Sequence, residues 1–197
     1  MNALIADPIQ TRLLLLCRGP VDWSQGVGGD LPLTSEGVLE AELTATTLPH
    51  FDVIAASPMR ASQDTAQAVL VQRPVAVDWR EGLNEIACAA PPEDAGAYAE
   101  WLDRLFAAYA SADTGESLAD GADRMVAALR GIADRYYGRA TLVISHPVIL
   151  LAFRGRLAHT GVQRDQVDAL PPLAHSVVDY LEGRFYLVQD FPVRLVP

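Results

Sequence analysis

The amino-acid sequence predicts an α/β fold, a three-layer sandwich in which a mostly parallel central sheet carries helices on both faces. Short apolar runs typical of buried strands alternate with longer stretches in which apolar residues recur every three or four positions. Each central run also ends in a polar residue, at the end of a parallel strand where ligands bind. With 197 residues, 50% of them hydrophobic, the chain is expected to form a single domain over 1–197.

Three apolar runs predict the central strands, and a proline follows each of them within three residues. These runs are Leu13–Cys17, Phe51–Ala56 and Ala140–Ser145. Near the end of the chain, Glu182-Gly183 separates two further strand-like segments and predicts a tight hairpin turn. These segments are Ser176–Leu181 and Phe185–Gln189.

Helices are predicted for the stretches between the strands that show helical spacing. They are Thr34–Thr47, Pro58–Val71, Ala97–Ala110, Ser117–Tyr136 and Val148–Leu157. Two segments rich in glycine or proline, Trp23–Leu33 and Cys88–Gly96, are predicted to be loops that border a cleft.

The composition limits the classes of molecule that the protein is expected to bind. The 15 basic residues are all arginine, and 25 acidic residues give a formal net charge of -10, which disfavours a nucleic-acid-binding surface but leaves a local anion site possible.

No apolar run approaches the roughly 18 residues that span a bilayer, and the first residues do not resemble a signal peptide. The two cysteines make neither a disulfide framework nor a metal cluster. We therefore predict a cytoplasmic protein without membrane contact, metal or cofactor; nothing indicates its oligomeric state.

One segment predicts an anion site from physical chemistry alone. Ser57 is a good helix N-cap, Pro58 suits the first turn, and Arg60 follows in that turn, so backbone N–H groups and a guanidinium would face one point. An arginine paired with a surface carboxylate explains the pattern equally well. His146 also lies at a strand end, where a single histidine is more often structural than catalytic.

Taken together, the successive motifs resemble those of the histidine phosphatase family, which includes phosphoglycerate mutases. The matching segments are Leu13–Gly19, Pro32–Gly37, Ser57–Arg60 with Gln63 and Thr65-Ala66, Leu83–Glu85, Gly115–Ser117 and Ser145-His146. They cover nearly the whole chain in the family's order. The resemblance implies a phosphoglycerate-mutase-like fold, in agreement with the α/β prediction.

The resemblance fails at the nucleophile. In the family, the first strand ends in Arg-His-Gly, and the histidine attacks phosphorus to form a phosphohistidine. Here the segment reads Cys17-Arg18-Gly19, and shifting the alignment by one residue puts Gly19 at the nucleophile position, so neither register supplies an imidazole. The usual acidic residue after the glycine is replaced by Pro20. Arginine stays protonated at neutral pH and cannot attack phosphorus as imidazole does.

The resemblance implies roles for the remaining site residues. Arg60 and His146 match phosphate-contacting positions, Glu85 matches the proton donor of many members, and Arg18 is expected to project into the pocket. We therefore expect His146 and Glu85 as the catalytic candidates, and Arg18, Arg60 and His146 as the phosphate-binding residues. Cys17, at the end of a leucine run, is interpreted as a packing residue rather than a substitute nucleophile.

Three functions remain open, and the sequence does not decide whether the protein is an enzyme. The favoured hypothesis is that the cleft binds a phosphate-bearing or other anionic small molecule without the phosphohistidine mechanism. The first alternative is an active phosphomonoesterase that uses His146 or a directly activated water. The second is a structural or interaction protein that keeps only the fold. A mutase is the least expected, since that reaction needs a histidine to carry the phosphate.

Overall fold

The computed structural model describes residues 9–25, 30–108 and 115–192, and its central feature is a six-stranded mixed sheet. Its strands in chain order are β1 (Thr11–Cys17), β2 (Val53–Ala56), β3 (Ala76–Trp79), β4 (Ala140–Ser145), β5 (His175–Leu181) and β6 (Arg184–Gln189). Their order across the sheet is β3-β2-β4-β1-β5-β6. The first four pair in parallel and the last two pair antiparallel, so the prediction of a mostly parallel α/β sheet is confirmed.

Helices cover both faces of the sheet. They are α1 (Ser35–Thr47), α2 (Arg60–Gln72), α3 (Ala95–Ala108), α4 (Leu118–Arg135), α5 (Pro147–Ala158) and α6 (Arg164–Ala169), with a 3-10 turn at Glu81–Leu83. Thr34 begins α1 by accepting a hydrogen bond from the Gly37 N–H, and Ser117 begins α4 in the same way with the Asp120 N–H.

Strand β1 runs through the middle of the molecule, which explains its unbroken apolar sequence. Leu13 and Leu15 face a core cluster shared with α3, α4 and α5, whereas Leu14 and Leu16 face a second cluster shared with α1 and α2. All four leucines are at most 1% exposed. A strand covered on both faces does not alternate polar and apolar residues. Strand β1 ends directly at the edge of the sheet where ligands bind in such folds.

The structure contains two elements that the sequence pattern did not predict. Strand β3 is a four-residue edge strand with partly exposed side chains, including Asp78, so it lacks an apolar signature. Helix α6 has six residues, too few to show helical periodicity. The third predicted helix, α3, is described to Ala108; its predicted end at 110 lies outside the described residues.

The predicted terminal hairpin is present between β5 and β6. Its two turn residues, Glu182 and Gly183, have φ values of 49° and 79°. Positive φ at both central residues is the geometry of the tightest hairpin turns, and glycine adopts it without steric cost. Among the described residues, no helix is long and apolar enough to cross a membrane.

Candidate functional site

A cleft of about 410 Å³ opens at the carboxyl ends of the parallel strands. Arg18 follows β1, Glu85 follows the 3-10 turn after β3, and His146 follows β4, and all three line this cleft. Three of the four predicted site residues are therefore brought together. The topology explains this, because parallel strands deliver the residues that follow them to one edge of the sheet.

Arg18 contributes a positive charge to the cleft. Its backbone N–H donates to the Ser145 carbonyl over 2.8 Å, and its Nη1 donates to the Gly19 carbonyl over 2.9 Å. No other hydrogen bond and no ion pair holds this side chain among the described residues. Four of the five guanidinium N–H groups therefore have no partner within the described parts of the chain.

His146 is buried and lies at the N-cap of α5. Its Nε2 is 3.0 Å from the Ser57 Oγ and 3.1 Å from the Ser62 Oγ. The Ser57 hydroxyl donates its own proton to the Asn84 Oδ1 over 2.7 Å. These contacts serve either neutral tautomer: a protonated Nε2 donates to Ser57, whereas an unprotonated Nε2 accepts from the Ser62 hydroxyl.

The charge state of His146 agrees with that network. Burial, together with the positive charges of Arg18 and Arg124, lowers its pKa well below the usual 6.5. The ring is therefore neutral at physiological pH and adds no positive charge to the cleft. Its Nε2 is already engaged with the two serine hydroxyls.

Glu85, in the cleft lining, is hydrogen-bonded to the first turn of α5. Its Oε1 accepts the N–H groups of Ile86 and Ile149 at 3.0 and 2.9 Å, and its Oε2 accepts the N–H of Val148 at 3.1 Å. Burial raises the pKa of this carboxyl, although the three N–H donors and Arg18 act in the opposite direction. A carboxyl that retains its proton more readily than usual has the chemistry of a general acid.

Arg124, which the sequence did not indicate, holds the segment that carries Glu85 in place. Its Nε and Nη2 bind the Glu116 carboxylate at 2.7 and 2.5 Å. The remaining N–H groups donate to the carbonyls of Gly82, Asn84 and Glu85. All five donors are in use, so Arg124 holds protein groups and has none left for a ligand. Its sequence signal was indirect, because Glu116 belongs to the Gly115–Ser117 motif.

Arg60 lies outside the cleft, contrary to its expected position. Its side chain is exposed and is not among the cleft-lining residues, whereas its neighbour Ala61 is. Helix α2 begins at Arg60 after the N-cap Met59, two residues later than predicted. Ser57 is not the N-cap; its Oγ accepts the Met59 N–H in the turn before the helix. The Arg60 N–H donates to the carboxylate of Asp30 at 2.6 Å.

The walls of the cleft are mainly apolar and come from the two predicted loops. Trp23, whose ring centroid lies 5.4 Å from that of Tyr98, and Leu31 come from the first loop; its residues 26–29 lie outside the described part. Pro91 and Pro92 come from the second. Both loops therefore border the cleft, as expected.

Neither cysteine has the electrostatics of a nucleophile. Burial raises the pKa of the Cys17 thiol to about 12 and that of Cys88, in the cleft wall, to about 11. Both are protonated at neutral pH, and a thiol is a poor nucleophile compared with a thiolate. Within the described residues, no three His, Cys, Asp or Glu side chains form a group that could hold a metal ion.

Comparisons with known proteins agree with the fold. The sequence profile of the histidine phosphatase superfamily (branch 1) matches residues 13–190. No curated protein sequence matches significantly. Among solved structures, YhfR of Bacillus stearothermophilus superposes with a TM-score of 0.75 at 21% identity, covering 91% of this chain and 96% of YhfR.

Two further solved structures give similar values. A phosphoserine phosphatase mutant from Entamoeba histolytica, in complex with phosphoserine, has a TM-score of 0.73 and 19% identity over 92% of this chain and 96% of its own. A phosphoglycerate mutase from Bacillus anthracis has a TM-score of 0.71 and 17% identity over 93% and 94%. At these identities the structures show a shared fold and not a shared activity.

Proposed function

The chain belongs to the histidine phosphatase superfamily, branch 1, and from that premise we propose that its cleft binds a phosphate-bearing or other anionic small molecule without forming a phosphohistidine. One observation carries the proposal. The guanidinium of Arg18, without an ion pair among the described residues, lines the cleft at the position that the motif resemblance gives to the nucleophile.

The chemistry of arginine accounts both for the proposed binding of an anion and for the absence of a phosphohistidine. A guanidinium is planar, permanently charged and able to donate two parallel N–H groups to one carboxylate or phosphate. It has no lone pair with which to attack phosphorus at neutral pH. An arginine in this position therefore attracts an anion and cannot carry it covalently.

The neighbouring residues support binding rather than covalent transfer. His146 is neutral, and its Nε2 lies within hydrogen-bond distance of the Ser57 and Ser62 hydroxyls, contacts that would have to break before this nitrogen could attack phosphorus. Relatives with the same fold have been solved with phosphoserine and with 3-phosphoglyceric acid, so this fold accommodates small anions in those proteins.

One observation favours a second function, that of a phosphomonoesterase acting through a directly activated water. Glu85 is half-buried in the cleft wall and its pKa is raised, as a general acid for a leaving alcohol requires. This function needs turnover, whereas the favoured one needs only binding. The two are separated by assaying both on the same preparation.

We further propose that the chain is one domain that acts in the cytoplasm. The described residues share one sheet, which supports a single domain. Cys17 and Cys88 are free thiols, and disulfides are formed mainly in oxidising compartments.

Isothermal titration with a panel of phosphate esters and carboxylates tests the binding function. We expect at least one member to bind and its affinity to fall by about tenfold or more in Arg18→Gln, which loses a charge-assisted contact. Arg130→Gln is the matched control, because this arginine is exposed on α4 and does not line the cleft. A panel without any binder, or a binder that Arg18→Gln leaves unaffected, would show that the proposal is wrong.

A further inference from the structure

The positive charge available to a ligand in this cleft is small. Among the described lining residues Arg18 is the single arginine, and the chain has no lysine. The guanidinium of Arg60 is exposed outside the cleft, and Arg124 has all its N–H groups bound to protein acceptors. His146 is uncharged. The cleft therefore offers a ligand one full positive charge.

Negative charge is present in the same cleft. Asp30 lines it, and one of its carboxylate oxygens accepts the Arg60 N–H while the other has no hydrogen-bond partner among the described residues. Phosphate monoesters carry about -1.5 to -2 charges at neutral pH. One guanidinium neutralises one charge, and a second charge would meet the exposed Asp30 carboxylate without a cationic partner, which disfavours it through like-charge repulsion. The charge balance therefore matches a monoanion better than a dianion.

The shape and lining of the cleft add a second, independent observation. Its volume of about 410 Å³ lies in the usual range for sites of small organic ligands and is far larger than a bare anion needs. Most of the lining side chains are apolar or aromatic. They include Trp23, Leu31, Met59, Pro91, Pro92 and Tyr98. The aromatic pair Trp23 and Tyr98 presents a surface on which a flat apolar group can pack.

From this juxtaposition we infer that the cleft prefers a monoanionic carboxylate carried on an aromatic or apolar body over a phosphate ester of the same body. The carboxylate accepts two parallel N–H groups from Arg18, and the body packs against Trp23, Tyr98 and the two prolines. This inference rests on the proposed binding function of the same cleft and specifies its ligand class.

A matched pair of ligands tests the inference on the full chain. 3-Phenylpropionate and 2-phenylethylphosphonate share a body and differ in the anionic group, and neither is cleaved by a phosphatase. We expect the carboxylate to bind at least about tenfold more tightly than the phosphonate at about pH 8, where the phosphonate carries its second charge. Acetate, which lacks the body, should bind far more weakly than 3-phenylpropionate.

Variants identify the contacts. Arg18→Gln and Trp23→Ala should each weaken 3-phenylpropionate binding by about tenfold or more, through the lost ion pair and the lost aromatic contact respectively. Arg130→Gln should leave it unchanged, and melting curves check that each variant is folded.

The possible failures are distinct. If the phosphonate binds as tightly as the carboxylate or more tightly, and Arg18→Gln weakens it, the ligand class inferred here is wrong while the binding function stands. If acetate binds as well as 3-phenylpropionate, the apolar walls do not contribute and the inference is again wrong. If neither organic anion binds and the wider panel also fails, the binding function itself is wrong.

Discussion

At the scale of single residues, Arg18 decides which chemistry the cleft retains. It provides a charge for binding and removes the imidazole that the family uses for covalent transfer. The same residue explains part of the state of its neighbours, since its charge helps to keep His146 neutral and opposes the rise in the pKa of Glu85. The charge of this one residue therefore affects the pKa values of two neighbouring side chains.

Restoring the family's histidine should not restore phosphatase activity. In Arg18→His, no arginine remains among the described lining residues, and Arg60 lies outside the cleft, so a phosphate dianion finds no cationic partner. We expect no release of p-nitrophenol from p-nitrophenyl phosphate above that of a heat-inactivated sample. Turnover in Arg18→His would show that the missing imidazole was the sole defect, and that phosphate binding does not depend on Arg18.

The lowered pKa of His146 predicts a pH-dependent stability. The unfolded chain takes up a proton near pH 6.5, whereas the folded chain keeps His146 neutral, so this contribution is present above that pH and is lost as pH falls. The stability advantage of the wild type over His146→Gln should shrink by about 1.4 kcal/mol between about pH 7.5 and pH 5.5.

Urea unfolding at several pH values measures this difference. The control is His159→Asn, because His159 is exposed, does not line the cleft, and has a φ of 54° that asparagine also adopts. Comparing variants at each pH removes the contribution of Glu85, whose raised pKa changes stability in the opposite direction. A wild-type advantage that stays constant over the range would mean that the folded protein protonates His146 as readily as the unfolded chain does.

At the scale of elements, the cleft is built from helix and strand ends that are held by buried side chains. Glu85 accepts two N–H groups in the first turn of α5, which have no partner within the helix. Arg124 reaches from α4 to three carbonyls of the segment 82–85. The position of Glu85 in the cleft therefore depends on two helices at once.

Removing the Glu85 carboxylate should destabilise the first turn of α5. In Glu85→Ala the buried N–H groups of Val148 and Ile149 lose their acceptor, at an expected cost of about 3 kcal/mol in the free energy of unfolding. Glu85→Gln keeps an acceptor oxygen and should cost less. Denaturant unfolding measures both, with the exposed Glu81→Ala as control. An equal, small effect for Glu85→Ala and Glu81→Ala would contradict the role given to the carboxylate.

Removing Arg124 should be costly for a different reason. Arg124→Met leaves the partly buried Glu116 carboxylate without its cation and three carbonyls without a donor, so we expect a loss of about 3 to 5 kcal/mol. Arg130→Met, on the exposed face of the same helix, should change stability by less than about 0.5 kcal/mol. Similar effects for the two variants would show that the Arg124 network does not support the cleft.

The sequence predicted those elements whose signal is local. The leucine run of β1 indicates burial on both faces, and Glu182-Gly183 indicates a hairpin because the turn chemistry lies in adjacent residues. The position of Arg60 could not be predicted in the same way, since α2 starts two residues later than its pattern indicates, and local patterns define helix boundaries poorly. The Arg124 network depends on residues 8 to 42 positions apart, and no local pattern reveals it.

At the scale of the whole molecule, the fold and the chemistry have separate determinants. The fold is shared with solved structures of a phosphoserine phosphatase mutant and a phosphoglycerate mutase, whereas the sheet order and the two core clusters of this chain require no catalytic residue. The topology still gathers Arg18, Glu85 and His146 at one edge of the sheet. The proposed binding function needs only this arrangement and no covalent step.

The most direct test of this account is a turnover measurement on the wild-type protein. Purified protein is incubated with p-nitrophenyl phosphate and with a panel of phosphate monoesters, and release of p-nitrophenol or inorganic phosphate is followed against a heat-inactivated sample. We predict no release above that control. Release that disappears in a folded His146→Gln variant would contradict the account, because it would show that the cleft performs phosphate chemistry without the family's nucleophile.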